Sequence, residues 1–176
     1  TQKTRGSVIS EISGSATGVL YADNGYYLTV GSNGNIGATQ DINAATTVTV
    51  ESKTSWESTY YTIQADGYYL GIKSQQFSWY TIYTLTTAAS IPNGQDRDGY
   101  YWTLGTGDDY SISDYCLNYN NGWTVTYQGW DHAAKLYSVT ETTLPGGAVT
   151  KVSFTGVAVG DTEYIVGDTK YIVHVR

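Results

Sequence analysis

Apolar and polar side chains alternate along most of this chain, and small turn-forming pairs break the alternation at short intervals. Ser58-Thr59-Tyr60-Tyr61-Thr62-Ile63-Gln64 and Thr169-Lys170-Tyr171-Ile172-Val173-His174-Val175 keep a period of two, as a strand with one covered face does. Asn24-Gly25, Asp66-Gly67 and Asn121-Gly122 supply the positive φ that tight hairpin turns require. No stretch carries a helical period. The pattern predicts an all-β chain of short antiparallel strands joined by tight turns.

One pattern returns three times. Asn24-Gly25-Tyr26-Tyr27-Leu28 is followed by Asp66-Gly67-Tyr68-Tyr69-Leu70 and Ser113-Asp114-Tyr115-Cys116-Leu117, with 42 residues from Leu28 to Leu70 and 47 from Leu70 to Leu117. That spacing fits one supersecondary unit used repeatedly. Val48 and Val50, after Ala44-Ala45, match Tyr137 and Val139, after Ala133-Ala134. Trp56 lies 14 residues before Leu70 and Trp102 lies 15 before Leu117, each opening a strand; the first copy has only Val8, Ile9 and Ile12 for that place. The second copy has no clear closing strand, and Ala88-Ala89-Ser90-Ile91 is the nearest substitute.

Three four-stranded units at residues 8–52, 53–97 and 98–141 predict a barrel capped by hairpins, an arrangement that removes exposed sheet edges. On these residues the chain resembles the ricin-type β-trefoil class in outline. It resembles more closely the trefoil-like modules of bacterial surface proteins, through its "YYL" and "LYSVTE" strands. Tyr100-Tyr101-Trp102-Thr103-Leu104 stands where the Gln-x-Trp signature of that class would fall. The resemblance implies a β-trefoil of three pseudo-repeats at residues 1–143.

Residues 144–176 have a different texture. Leu144-Pro145-Gly146-Gly147 reads as a linker. Val152 and Phe154, then Thr162, Tyr164 and Val166, then Tyr171, Val173 and Val175 read as alternating β, with Gly167-Asp168 as a hairpin turn. So short a segment cannot bury a core of its own, since domains below about 40 residues usually need disulfides or metals. It is read as a C-terminal antiparallel β appendage that docks on the trefoil or belongs to a neighbouring domain. It resembles the closing hairpins of a bacterial immunoglobulin-like spacer.

Charge narrows the partners. Nine basic against sixteen acidic residues give a net charge of −7, the wrong sign for neutralising phosphates, so no nucleic acid is expected. Anionic membranes are disfavoured for the same reason. No apolar run approaches the ~20 residues of a spanning helix, so no membrane insertion is expected. The chain opens on Thr1 and carries no signal-peptide pattern, as expected of a mature or excised fragment. A monomer, or part of a larger multidomain chain, secreted or at the cell surface, is the expectation.

Catalytic groupings are sparse. Cys116, Asp131 and His132 have the residue types of nucleophilic catalysis, but adjacent Asp131 and His132 diverge and nothing orients the base. Asp96-Arg97-Asp98-Gly99 begins like a calcium loop, yet Tyr100 occupies the next ligand position and no glutamate follows at the needed spacing. Cys116, alone in the chain, reads as a small buried hydrophobe in the place of Tyr27 and Tyr69. No enzyme activity, cofactor or metal is expected.

Aromatic chemistry carries what remains. Eighteen tyrosines stand against two phenylalanines, with five tryptophans. A chain selected for burial alone would use more phenylalanine, because each buried hydroxyl needs a partner. The third copy gathers Asn118, Asn120, Trp123, Trp130, Asp131 and His132. Flat rings beside amides and carboxylates suit sugars, the ring stacking on C–H faces while the polar groups take hydroxyls. The ricin-type resemblance places its sugar-binding aspartate just after each repeat's leucine, where this chain has Thr29, Gly71 and Asn118, so it implies a site in the third copy alone. Gln76, Trp79 and Tyr80 in the second copy form a secondary candidate. The sequence therefore predicts a non-catalytic extracellular binding module for a glycan. The alternative is a protein-binding or spacer module facing a host or cell-surface protein.

Overall fold

The computed structural model describes residues 1–128, 131–143, 160–166 and 168–175. The linker at residues 144–147, the expected strand around Val152 and Phe154, Gly167 and Trp130 lie outside them. The fold is all-β and antiparallel. The chain divides into two compact units, Gln2–Glu141 and a smaller one of Thr142–Arg176 with Thr1.

In the larger unit the strands are β1 (Gln2–Val8), β2 (Ser15–Ala22), β3 (Tyr26–Val30), β4 (Ile36–Thr39), β5 (Val48–Ser55), β6 (Ser58–Ala65) and β7 (Tyr68–Gln76). They are followed by β8 (Thr81–Ala88), β9 (Thr103–Leu104), β10 (Tyr110–Ile112), β11 (Tyr115–Tyr119), β12 (Trp123–Tyr127) and β13 (Lys135–Thr142). Among the described residues helical content is limited to two 3₁₀ segments, Ile42–Ala44 and Gly94–Tyr100. The smaller unit is the hairpin of β14 (Gly160–Val166) and β15 (Thr169–Val175), in register from Gly160↔Val175 to Val166↔Thr169.

Pairing follows one path, β1-β13-β2-β5-β6-β7-β8. A second sheet runs β12-β11-β10-β9. The two are stitched by a bridge between Tyr61 on β6 and Trp102 just before β9, each backbone N–H donating to the other's carbonyl at 2.8 Å. Three hairpins stand out: β3–β4 branches from β2, β7–β8 ends the first path, and β11–β12 ends the second sheet. Each begins at one copy of the recurring aromatic-leucine pattern.

The recurrence has a physical cause in the core. Leu28, Leu70 and Leu117 are all buried in one cluster with Leu20, Val48, Val50, Ile63, Trp102, Tyr110 and Leu136. The residue before each leucine points the other way: Tyr27 joins a smaller cluster with Val19 and Ala45, and Cys116 is likewise buried. The turns before the leucines use left-handed backbone. Asp66 and Gly67 have φ of 49° and 78°, closing the β6–β7 turn at Ala65↔Tyr68. In the third copy Ser113 and Asp114 hold φ of 49° and 66° with no glycine.

Three expectations change. Trp56 and Trp102 share an offset but not an environment. Trp56 is 95% exposed at the β5–β6 turn with φ 50°, whereas Trp102 is fully buried and its indole N–H donates to the Leu70 carbonyl at 2.9 Å. Residues 89–91 form no strand, and the segment that pairs with β6 after the β7–β8 hairpin is the one at Trp102. The strand preceding the first Asn-Gly turn is β2, with Val19, Leu20 and Ala22 buried, rather than the segment of Val8, Ile9 and Ile12. Its run of consecutive buried positions, covered on both faces, hides the period of two.

Replacing Leu28, Leu70 or Leu117 by alanine is expected to cost about 2–5 kcal/mol each, the range for emptying a filled core site, measured by chemical denaturation. Asp114→Gly is expected to stabilise by about 0.5–1 kcal/mol, since glycine adopts its left-handed φ without the Cβ clash; thermal melting reads it.

Candidate functional site

The β11–β12 hairpin positions the third-copy candidates. Its register is Cys116↔Thr126, Leu117↔Val125, Asn118↔Thr124 and Tyr119↔Trp123. Directly opposed residues share a face and successive ones alternate. One face therefore carries Leu117, Val125, Tyr119 and Trp123, and the other carries Cys116, Asn118, Thr124 and Thr126. Asn118 and Trp123 lie on opposite faces, so the hairpin does not bring them to one site.

Trp123 belongs to the core side. It is half-buried, packs against the core cluster, meets Tyr119 edge-on at 5.3 Å and donates its indole N–H to the Tyr27 carbonyl at 3.3 Å. Tyr119 in turn stacks on Tyr26 at 4.0 Å. The ring sits as a support beneath the hairpin, not as an open platform.

The opposite face opens on a cleft of about 300 Å³ lined by Asn118, Asn120, Thr126, Asp131 and His132. Four of these are sequence candidates; Thr126 was not picked out. The signal for it is its pairing with Cys116, two positions from Asn118, which places it on the same face. Segment 132–134 lies along β11: Tyr119 N–H donates to the His132 carbonyl at 3.1 Å and Ala134 N–H to the Leu117 carbonyl at 2.9 Å, with Asn118 bridged to Ala133. The chain closes over Asn118, which is 3% exposed and whose Nδ2 donates to the Cys116 carbonyl at 3.0 Å. Asn120 and Asp131 are exposed at the rim.

His132 ties this wall to the first copy. Its Nδ1 lies 2.5 Å from Asp23 Oδ1 in the β2–β3 turn, and Asn24 Nδ2 donates to the Tyr119 carbonyl at 3.2 Å. The partner of His132 is Asp23, 109 residues away, and not its neighbour Asp131. Cys116 is fully buried, and burial, followed by the nearby Asp109, pushes its thiol up to about 11. Among the described residues no three His, Cys, Asp or Glu side chains converge as a metal site; Asp96, Arg97 and Asp98 fall within the Gly94–Tyr100 segment.

The secondary candidates Gln76, Trp79 and Tyr80 are exposed around the β7–β8 turn. Nearer the core a larger cleft of about 540 Å³ lies between this hairpin and the segment at residues 92–100, reached by Lys73, Tyr83, Thr86, Gln95, Asp96 and Tyr100. Its one trace in the sequence is Gly71, which follows Leu70 as Asn118 follows Leu117: a Cβ at Gly71 would collide with the Tyr100 ring.

No protein-family profile matches the chain, and no curated protein matches it in sequence.

A buried thiol held above its ordinary value favours the neutral folded state. Cys116 is therefore expected to contribute stability fully below about pH 9, lost as pH rises through about 11. An aromatic disulfide reagent at pH 8 is expected to leave native Cys116 unreacted and to label it on unfolding in guanidinium.

Proposed function

We propose that this chain is a non-catalytic carbohydrate-binding module of an extracellular bacterial surface protein, built as a β-trefoil. Supporting the architecture is the strand path β13-β2-β5-β6, continued through the Tyr61–Trp102 bridge to β9 and β10. One hairpin leaves it at each leucine. A trefoil has this order of six core strands and three capping hairpins.

The observation that carries the function is the polar cleft at Asn118, Asn120, Thr126, Asp131 and His132. It gathers an amide pair, a hydroxyl, a carboxylate and an imidazole, groups that give and accept hydrogen bonds in fixed directions. Its volume falls at the small end of ligand sites, which run from about 300 to 1,000 Å³, and suits a single sugar ring. Asn118 is held by its amide N–H on Cys116, leaving its carbonyl oxygen for a hydroxyl. Asp131 and Asn120 at the rim take the outer hydroxyls. In this reading Trp123 serves as a support beneath the hairpin.

A non-catalytic role is supported by the chain's single thiol: Cys116 is fully buried as a neutral group and offers no accessible nucleophile. The second reading, a protein-binding or spacer module, is favoured by one observation: the half-buried Trp123 takes a ring away from the sugar platform.

Titration with neutral mono- and oligosaccharides, followed by calorimetry, tests the proposal. Asp131→Ala is expected to weaken binding about 10- to 100-fold, the loss typical of a hydrogen bond to a charged group, with an unchanged melting temperature because Asp131 is exposed. A silent titration of the unaltered chain across a broad glycan set would favour the protein-binding reading.

A further inference from the structure

The β7–β8 hairpin ends in a tip unlike the rest of the surface. Phe77 N–H donates to the Tyr80 carbonyl at 2.7 Å, closing a turn over Ser78 and Trp79. The Phe77 and Tyr80 rings stack at 4.9 Å with 17° between their planes, and Trp79 meets Tyr80 edge-on at 4.9 Å and 70°. The rings hold one another in shape while facing water: Trp79 is 86% exposed, Tyr80 46% and Phe77 37%, with Ile82 beside them at 45%. The strands below pair without interruption from Tyr69↔Ala88 to Gln76↔Thr81, so the tip stands on a continuous ladder.

Charge is absent from this region. From Ser74 through Gln95, 22 residues, no side chain is ionisable as an acid or a base of the Asp, Glu, Lys, Arg or His type. In a chain that is 14% charged, about three would be expected. The neighbouring tip at Trp56 differs, with Glu57 beside it and Glu51 and Lys53 on its strand.

Three kinds of partner could cover exposed rings, and the geometry separates them. A flat polysaccharide surface needs coplanar rings, and the 70° between Trp79 and Tyr80 denies it that. A protein partner needs area. The exposed part of the three rings is roughly 250–400 Å², taking ~150–250 Å² per aromatic side chain, about a third to a half of the ~800 Å² each partner buries in a standard interface. A lipid interface asks for less. Tyrosine and tryptophan settle at the headgroup level with the apolar body inward and the polar atom outward, at any mutual angle. Above Lys73 the hairpin carries no ionised group to strip of water. The net charge of −7 gives no attraction to anionic headgroups, so the matching surface is electrically neutral.

We propose that the Phe77-Ser78-Trp79-Tyr80 tip seats in the headgroup interface of a zwitterionic phosphatidylcholine bilayer, with Trp79 deepest. This is a peripheral contact made by a hairpin turn; no helix among the described residues is long and apolar enough to cross a membrane.

Flotation of the full chain with phosphatidylcholine vesicles tests it, together with quenching of tryptophan emission by brominated phosphatidylcholine. The unaltered chain is expected to float and to be quenched. Trp79→Ser is expected to lower the partition coefficient about tenfold or more, the effect of withdrawing one large ring from an apolar phase, at an unchanged melting temperature. Trp56→Ser is expected to float like the unaltered chain. The proposal is overturned if the unaltered chain stays with the buffer, if Trp79→Ser floats equally well, or if Trp56→Ser loses as much as Trp79→Ser. Flotation only with phosphatidylserine present would also overturn it, as would Trp79-dependent pull-down on insoluble polysaccharide without flotation.

Discussion

Trp102 is the residue on which the larger unit depends. Its backbone exchanges two hydrogen bonds with Tyr61, its indole N–H reaches the Leu70 carbonyl, and its ring is fully enclosed. A tryptophan can be buried at small cost only if its one donor is satisfied, because an unpaired polar group in the interior costs roughly 1–3 kcal/mol. Leu70 meets that need from the strand that starts the second hairpin. The same residue thereby joins the two sheets, fixes the start of β7, and places β9 next to β6, with β10 paired beyond it. The three buried leucines then share a core.

Once those positions are fixed, the hairpins are left to differ. The β3–β4 hairpin has Thr29 after its leucine and the β7–β8 hairpin has Gly71, where the Tyr100 ring leaves no room for a side chain. In the β11–β12 hairpin the space is taken by Asn118, closed over by the segment that continues into β13. One scaffold thus offers distinct surfaces: a polar cleft on the third hairpin, a larger cleft beside the second, and an uncharged aromatic tip at the second hairpin's end. The clefts suit ligands that exchange hydrogen bonds, and the tip suits a surface that only removes rings from water. The rings of Phe77, Trp79 and Tyr80 are held by one another, so little ordering remains to be done when they are covered.

Much of the fold was legible along the chain. The period of two gave the strands, the pairs Asn24-Gly25 and Asp66-Gly67 marked two hairpin starts and Asn121-Gly122 a hairpin tip, and recurring leucines marked the shared core. What misled was matching by offset. Trp56 and Trp102 sit at nearly equal distances before a leucine, but one caps a turn in water and the other is the centre of the interior. Offset reports position in the chain and is blind to which strand comes to lie alongside. β2 was missed because a strand covered on both faces loses the alternation by which strands are recognised.

The site shows the same division. Composition is local, so the chain alone states the chemistry available in the third copy: amides, a carboxylate, an imidazole and aromatic rings within fifteen residues of Asn118. Which of them meet depends on strand pairing and on contacts distant in the chain. The register of β11 on β12 turns Trp123 to the core and Thr126 to the cleft, and a shift of one residue would exchange the two faces. His132 is fixed by Asp23, 109 residues earlier, a contact no local pattern contains. A strand's period says that its side chains alternate; only its neighbour says which side is inside.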